Sequence, residues 1–415
     1  MRTFAEADAP PCDWRTRQPG FILWALISLP RLLVASVFYS LIYLSASSRP
    51  RPSWTYRQAL VTRVLRVAFG IMVELGFSQS ISLEAGKLGD RFVLLDPAPP
   101  EAYLGPFAYK SEADDNHNKP VKPERIGATW YPAPLDKRTG EASRLDEDKS
   151  TVVLAFHSGS FLWGDGRPEE SGAVATMLNE SLGPNTHALW VQYRLAGGSQ
   201  PTPYPAPMQD AITAYVYLVQ EMGVHPSRIV LAGDSSGATI AMALVRYLAF
   251  LTEQRNHHGT DKPAAAYYEL LSELPPPKAC LLFSPSLEYT FEGDSHAWDA
   301  HRNADADYCS GRMAAWGTAA VAPPDLVSLD DPYLSPALYP FATPVAMFVQ
   351  AGGAEVLCDS IKGFADAFRL VEGNRVEYLE VADCPHDVYL IGSIAGWKEE
   401  QKEIISAAAT FVHSL

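Results

Sequence analysis

The chain has 415 residues, 47% of them hydrophobic and 20% charged, with a formal net charge of -15. That supplies ample material for a large globular core and excludes a disordered or collagen-like chain. The acidic balance implies no basic surface and argues against nucleic acid as a partner. The five cysteines, Cys12, Cys280, Cys309, Cys358 and Cys384, include no C-x-x-C pair. This spacing disfavours a structural zinc site or a disulfide framework, and reduced buried thiols are expected.

Residues 1–20 are polar and Pro-containing and read as a disordered tail. Phe21 to Leu44 is nearly all apolar. A helix of that length reaches roughly 36 Å, enough for a bilayer core of about 30 Å. Pro30 is expected to interrupt it, and Arg31 costs about 2.5–3.5 kcal/mol at mid-membrane. A membrane anchor is the first reading. The alternatives are an interfacial helix kinked at Pro30, a cleaved signal peptide ending near Ser45-Ala46-Ser47, and a lid helix. Arginines on both sides (Arg15, Arg17, Arg49, Arg51) leave its orientation open.

Residues 58–76 space Leu60, Val64, Val67, Ile71 and Leu75 as an amphipathic helix, either a lid or membrane-surface element or a helix packed on the body. Stretches 109–124 and 134–150 read as surface loops around a short strand, 126–131. From 151 onward strands (151–157, 188–193, 228–233, 278–283, 345–351, 375–381) alternate with helices (169–181, 208–223, 237–253, 360–372, 397–413). Such alternation predicts an α/β fold, a mostly parallel sheet covered on both faces. Residues 285–340 break the pattern; they are aromatic, Pro-rich and expected to build lid and pocket walls. The domain expectation is therefore a tail to 20 and an anchor or interfacial helix over 21–44. N-terminal lid helices and a first strand follow over 45–110, and a catalytic domain over 111–415. The sequon at Asn179 is too common a pattern to assign a compartment.

The motif with most chemistry is Gly233-Asp234-Ser235-Ser236-Gly237, which fits G-x-S-x-G. A strand-type run, Ile229 to Ala232, precedes it and a helix-type run from Ala238 follows. A serine on a sharp strand-to-helix turn projects its hydroxyl above the sheet. Such a hydroxyl needs a base, an acid to orient the base, and donors for an oxyanion. His386, in Asp383-Cys384-Pro385-His386-Asp387 after the last strand, is the expected base. Glu355 and Asp359 both follow the preceding strand and can reach it. Glu355 lies nearer the strand end and is preferred, whereas Asp359 is suited to cap the next helix. The turn His157-Ser158-Gly159-Ser160 after 151–157 can offer N–H groups to an oxyanion, joined by that of Ser236.

The chain resembles the hormone-sensitive-lipase-like family of α/β-hydrolases, in its fungal branch with an N-terminal membrane segment, which includes steryl acetyl hydrolases. The likeness covers about 150–390. Val191-Gln192-Tyr193-Arg194-Leu195-Ala196 is similar to the family's V-D-Y-R-L-A, and Pro205-Ala206 with Asp210 to its F-P-A-x-x-x-D. Gly233 to Gly237 is similar to G-D-S-A-G, and Asp331-Pro332-Tyr333-Leu334 to a stretch before the acid. The resemblance implies an α/β-hydrolase fold with a helical lid. It also implies that Gly159 and Ser160 give oxyanion N–H groups. Two departures stand out: H-G-G-G is here His157-Ser158-Gly159-Ser160, and the family's usual Asp acid is here Glu355.

These residues imply a serine hydrolase, with no metal or organic cofactor, that cleaves an ester of a lipophilic small molecule. A sterol ester or a secondary-metabolite ester would suit an enzyme associated with the endoplasmic reticulum membrane. The same triad would serve acyl transfer or lactone chemistry, and a ligand-binding receptor on the hydrolase fold is the non-catalytic alternative.

Overall fold

The computed structural model describes residues 14–109, 121–135, 150–197, 201–257, 274–324 and 326–415. Most of the expected 1–20 tail, and much of both surface loops, lie outside these residues.

The strands are β1 (Phe92–Leu95), β2 (Ile126–Tyr131), β3 (Thr151–Phe156), β4 (Thr186–Gln192), β5 (Ile229–Asp234), β6 (Ala279–Phe283), β7 (Ala346–Gly352) and β8 (Val376–Val381). They form one eight-stranded sheet in the order β1-β2-β4-β3-β5-β6-β7-β8. β1 and β2 pair antiparallel, as do β2 and β4, and every later pair is parallel. All six strands expected from 151 onward form, because parallel strands buried on both faces read as continuous apolar runs.

The helices are α1 (Gly20–Ile42), α2 (Tyr56–Glu74), α3 (Gly172–Leu182), α4 (Ala206–Val216), α5 (Ser236–His257), α6 (Tyr289–Glu292), α7 (Ser295–Ala300), α8 (Gly311–Val321), α9 (Cys358–Arg369), α10 (Val388–Ala395) and α11 (Lys398–His413). Side chains along β3 alternate between two cores. Val152, Leu154 and Phe156 join Ile240 and Leu244 of α5 and Phe364 of α9. Val153 and Ala155 join Val174 of α3 and Ile404 of α11. The period of two in a strand assigns alternate residues to opposite helical layers.

α1 runs unbroken from Gly20 to Ile42 with Pro30 inside it. The expected interruption does not occur, because a proline forfeits only its own backbone donor and crowds one carbonyl, which a long helix absorbs. Arg31 is paired: its Nη1 lies 2.6 Å from Glu74 Oε2, at the end of α2. On the other side α1 leaves apolar chains bare, among them Leu29 at 63%, Leu33 at 66% and Val34 at 67% exposure.

Asn179 is buried, and its amide donates to the Tyr131 carbonyl at 2.9 Å. Its nitrogen serves β2 rather than a glycan. Cys280, Cys309, Cys358 and Cys384 are free and buried.

One buried ion pair anchors the strand edge of the sheet. The Arg194 Nη2 donates to Asp210 Oδ1 at 2.8 Å, and the Arg194 backbone N–H reaches Asp210 Oδ2 at 2.8 Å. Asp210 is fully buried and Arg194 is 6% exposed. Asp210→Ala leaves the buried guanidinium only the exposed Glu124, 3.9 Å away, as counter-charge and is expected to cost about 3–5 kcal/mol of stability. Urea unfolding followed by circular dichroism measures it.

Candidate active site

The carboxyl ends of β3, β5, β6, β7 and β8 all point to one edge of the sheet, and the loops there hold Ser235, Glu355 and His386. In open α/β sheets this edge is where ligands bind. Backbone strain concentrates at the same edge. Among the described residues, the non-glycine positions with positive φ are Ser160, Phe161, Ser235, Ser284, Asp383 and Asp387. Each follows the end of β3, β5, β6 or β8 within a few residues. Left-handed backbone at such residues costs about 1–3 kcal/mol each and persists only where the surroundings enforce it.

Ser235 sits at φ 51° between β5 and α5. The turn closes tightly because its flanking glycines carry no side chain. A Cβ at Gly233 would meet the Gly237 carbonyl oxygen at 2.4 Å, and one at Gly237 the Phe156 carbonyl oxygen at 2.1 Å. The Ser235 Oγ lies 2.9 Å from His386 Nε2, and His386 Nδ1 lies 2.7 Å from Glu355 Oε2. The other Glu355 oxygen accepts the Gly352 N–H at 2.7 Å. Exposure is 7% for Ser235, 4% for His386 and nil for Glu355. A neutral imidazole with its proton on Nδ1 donates to Glu355 and accepts the serine hydroxyl on Nε2, a directional chain through three distant segments.

Burial works against a charged His386, but the hydrogen bond and charge of Glu355 outweigh it, so its pKa stands above 6.5. Burial raises the Glu355 carboxyl, with the bond to His386 pulling the other way.

Asp359 lies apart from this chain. It sits in the first turn of α9, whose N-cap is Leu357, so it does not cap the helix. Its carboxylate meets Arg302 Nη2 at 2.7 Å and His301 Nε2 at 3.2 Å, and its side chain is 59% exposed. These contacts, chiefly that with Arg302, hold its pKa well below the usual carboxylate range. Asp359→Asn is expected to change ester hydrolysis by less than about 2-fold, the scale of an ordinary surface substitution. Initial rates beside the wild type check it.

Gly159 (φ 112°), Ser160 (φ 52°) and Phe161 (φ 61°) follow β3 in successive left-handed conformations. Serine at 160 thus adopts the backbone that a glycine would take more cheaply. A side chain at Gly159 is excluded, since its Cβ would meet the Trp163 carbonyl oxygen at 2.1 Å. Among the described residues, the N–H groups of Gly159, Ser160 and Ser236 have no protein acceptor. The turn is braced from behind. His157 stacks on Tyr193 at 4.1 Å, and the Tyr193 hydroxyl donates to the His157 carbonyl at 2.9 Å.

Ser235 and His386 open into a narrow pocket walled by Phe161, Trp298, Met313 and Leu357 among others. Residues of α7 and α8 thus cover the site. The residue order held no sign of α8 as a helix, since Gly311–Val321 lies in an aromatic, irregular stretch. It also gave no sign of Asp307, whose fully buried carboxylate accepts the Val356 N–H at 2.8 Å and steadies the loop bearing Glu355. Nor did it single out Glu292, a buried carboxyl in the pocket wall. A lone acid in an irregular segment has no spacing to mark it.

An alpha/beta hydrolase fold family matches residues 153–390. The chain belongs to that family. It is similar to an acetyl-hydrolase of Streptomyces hygroscopicus, 29% identical over 248 residues, covering 60% of this chain and 71% of that protein. It is also similar to Lipase 2 of Moraxella sp. (strain TA144), 29% identical over 178 residues, covering 40% of this chain and 38% of the lipase. Among solved structures, EstE5 soaked with p-nitrophenyl butyrate shares the fold, with a TM-score of 0.56 at 18% identity. That match spans 87% of this chain and 99% of EstE5.

Proposed function

We propose that this carboxylic ester hydrolase, of the serine esterase type, cleaves an ester of a lipophilic small molecule and does so at a membrane surface. Ser235 is the nucleophile, His386 the general base and then acid, and Glu355 the acid that orients His386. The observation that carries the reading is the continuous hydrogen-bond chain from the Ser235 hydroxyl through His386 to Glu355.

The steps follow from that geometry. His386 Nε2 takes the hydroxyl proton as Ser235 Oγ bonds to the ester carbonyl carbon. The carbonyl oxygen becomes an oxyanion, held by the N–H groups of Gly159, Ser160 and Ser236, each worth about 2.7–4 kcal/mol. The imidazolium, stabilised by Glu355, gives its proton to the departing alkoxide. Water then repeats the cycle on the acyl-enzyme and frees the acid.

The apolar pocket walls and the uncovered face of α1 support a greasy substrate, of the sterol-ester or secondary-metabolite-ester class. α1 is long and apolar enough to cross a membrane, with mean hydropathy 2.1 and only 6% of its apolar window buried. Arg31 enters no bilayer unpaired, because Glu74 accompanies it. The membrane part has its own test. Replacing Leu33 and Val37 with aspartate puts two charges on the bare face, at about 2.5–3.5 kcal/mol each at membrane centre. Flotation of the full chain with liposomes is expected to fall at least about 100-fold. Unchanged flotation would remove the membrane from this reading. The catalytic assignment is tested by labelling with a fluorophosphonate, which is expected to modify Ser235 alone.

A further inference from the structure

The proposed hydrolysis leaves one acid of the pocket unused. Glu292 ends the one-turn helix α6, is 5% exposed, and lines the same pocket as Ser235 and His386. Its Oε1 makes a long 3.5 Å contact with the Glu288 N–H, and its carboxyl meets the Ser286 hydroxyl. The Ser286 N–H in turn donates to the Ser235 carbonyl at 3.1 Å, so this carboxyl is one residue removed from the nucleophile's own backbone. Phe161, Trp298, Met313 and Leu357 around it offer carbon. Glu292 is therefore a buried carboxyl lining a pocket of mixed walls, in which Ser286 and Thr318 add hydroxyl groups to the carbon.

A ligand that fills such a pocket displaces water from the acid. An ester of carbon alone leaves the carboxyl only Ser286 and the long contact to Glu288, whereas one with a donor in reach adds a partner. Sites built around a buried polar group reject ligands that cannot pair with it. We propose that Glu292 is the polar anchor of the substrate pocket, selecting esters whose carbon skeleton bears a hydroxyl group over the same esters without it. This rests on the hydrolase reading above and narrows its substrate class.

The titratable groups around Glu292 are His386 from the loop after β8, Cys309 across the pocket, and Glu288 and Tyr289 from its own turn. Burial is the main cause that pushes the Glu292 carboxyl up to about 7. It thus changes from acid to carboxylate near neutrality, and the carboxylate is the stronger acceptor for a hydroxyl.

The test compares butyrate esters of straight-chain diols with those of the matching simple alcohols, and p-nitrophenyl esters of hydroxy acids with those of the plain acids. In the wild type at least one hydroxylated ester is expected to exceed its plain partner in kcat/KM by about 10- to 100-fold. That ratio is expected to rise between about pH 6 and pH 8. Glu292→Gln keeps the shape but does not ionise, and its ratio is expected to stay flat with pH. Glu292→Leu is expected to bring the ratio to about one. If the leucine variant fails to fold, the glutamine variant's pH response still decides. Equal kcat/KM across every pair in the wild type, or a glutamine variant whose ratio tracks pH as the wild type's does, would overturn the assignment of Glu292 alone. No turnover of any ester, with no fluorophosphonate label at Ser235, would overturn the hydrolase reading and this inference with it.

Discussion

Ser235→Ala is expected to lower kcat for ester hydrolysis by about 10⁶-fold and to abolish fluorophosphonate labelling. The lost oxygen is the hydroxyl held on His386 Nε2 at 2.9 Å. His386 Nε2 keeps its position 31 residues from Glu355 in sequence but loses the hydroxyl that it polarises. The oxyanion donors survive, so a residual rate over water of about 10³–10⁴-fold is expected to remain. Alanine at φ 51° is no more strained than serine, so the fold is expected to hold. Circular dichroism and single-turnover assays at matched concentrations make the measurement. A variant that hydrolyses within tenfold of wild type (about 1.4 kcal/mol) would show that another group attacks the ester.

Much of this arrangement was legible in the residue order, for physical reasons. A parallel strand covered on both sides must be apolar throughout, so β3, β5, β6 and β7 announce themselves as short runs. The elbow at Gly233 to Gly237 is legible because its two glycines meet backbone oxygens where a Cβ would collide. Chain order placed an acid and a histidine after consecutive late strands, and those side chains lie within hydrogen-bond reach of each other. The choice between Glu355 and Asp359 was harder. They lie four positions apart, and Arg302 and His301, far away in sequence, draw Asp359 outward. The cover over the pocket was least legible. α8 contains Gly311, Gly317 and Trp316, and its helicity rests on packing against α2 and α6 rather than on its own periodicity.

The N-terminal segment is part of the site's support rather than an appendage. The Trp54 indole N–H donates to the Asp383 carbonyl at 2.7 Å, in the loop that carries His386. Arg66 of α2 donates to the Asp307 carbonyl at 2.8 Å and the Cys309 carbonyl at 3.0 Å, in the segment that covers the pocket. Both walls of the reaction site are thus fastened to α2, against which α1 packs, or to the residues just before it. A protein whose α1 lies in lipid would hold its pocket cover at the membrane surface, where an apolar ester is concentrated.

Glu355→Gln is expected to reduce kcat by about 10⁴-fold while leaving the fold intact. The carboxylate does two things that an amide cannot do together. Its Oε2 accepts the Nδ1 proton of His386, and its charge stabilises the imidazolium formed as Ser235 attacks. An amide nitrogen facing Nδ1 donates instead, which moves the imidazole proton to Nε2 and leaves the serine hydroxyl without an acceptor. The pH profile gives a second, independent readout. General-base action needs neutral His386, and Glu355 raises the histidine's pKa above 6.5 against the opposing pull of burial. In the wild type kcat/KM is therefore expected to fall as pH drops through that raised value, losing about tenfold per unit below it. Without the carboxylate the largest influences opposing burial are gone, so the acidic limb of the glutamine variant is expected to move to lower pH. Rates of both proteins over about pH 5 to pH 9 test this. A glutamine variant with near-wild-type kcat and an unmoved limb would mean that another group orients His386. After Glu355, the buried carboxylate whose charge acts most on His386 is Asp307, which is why Asp307→Asn belongs in the same series.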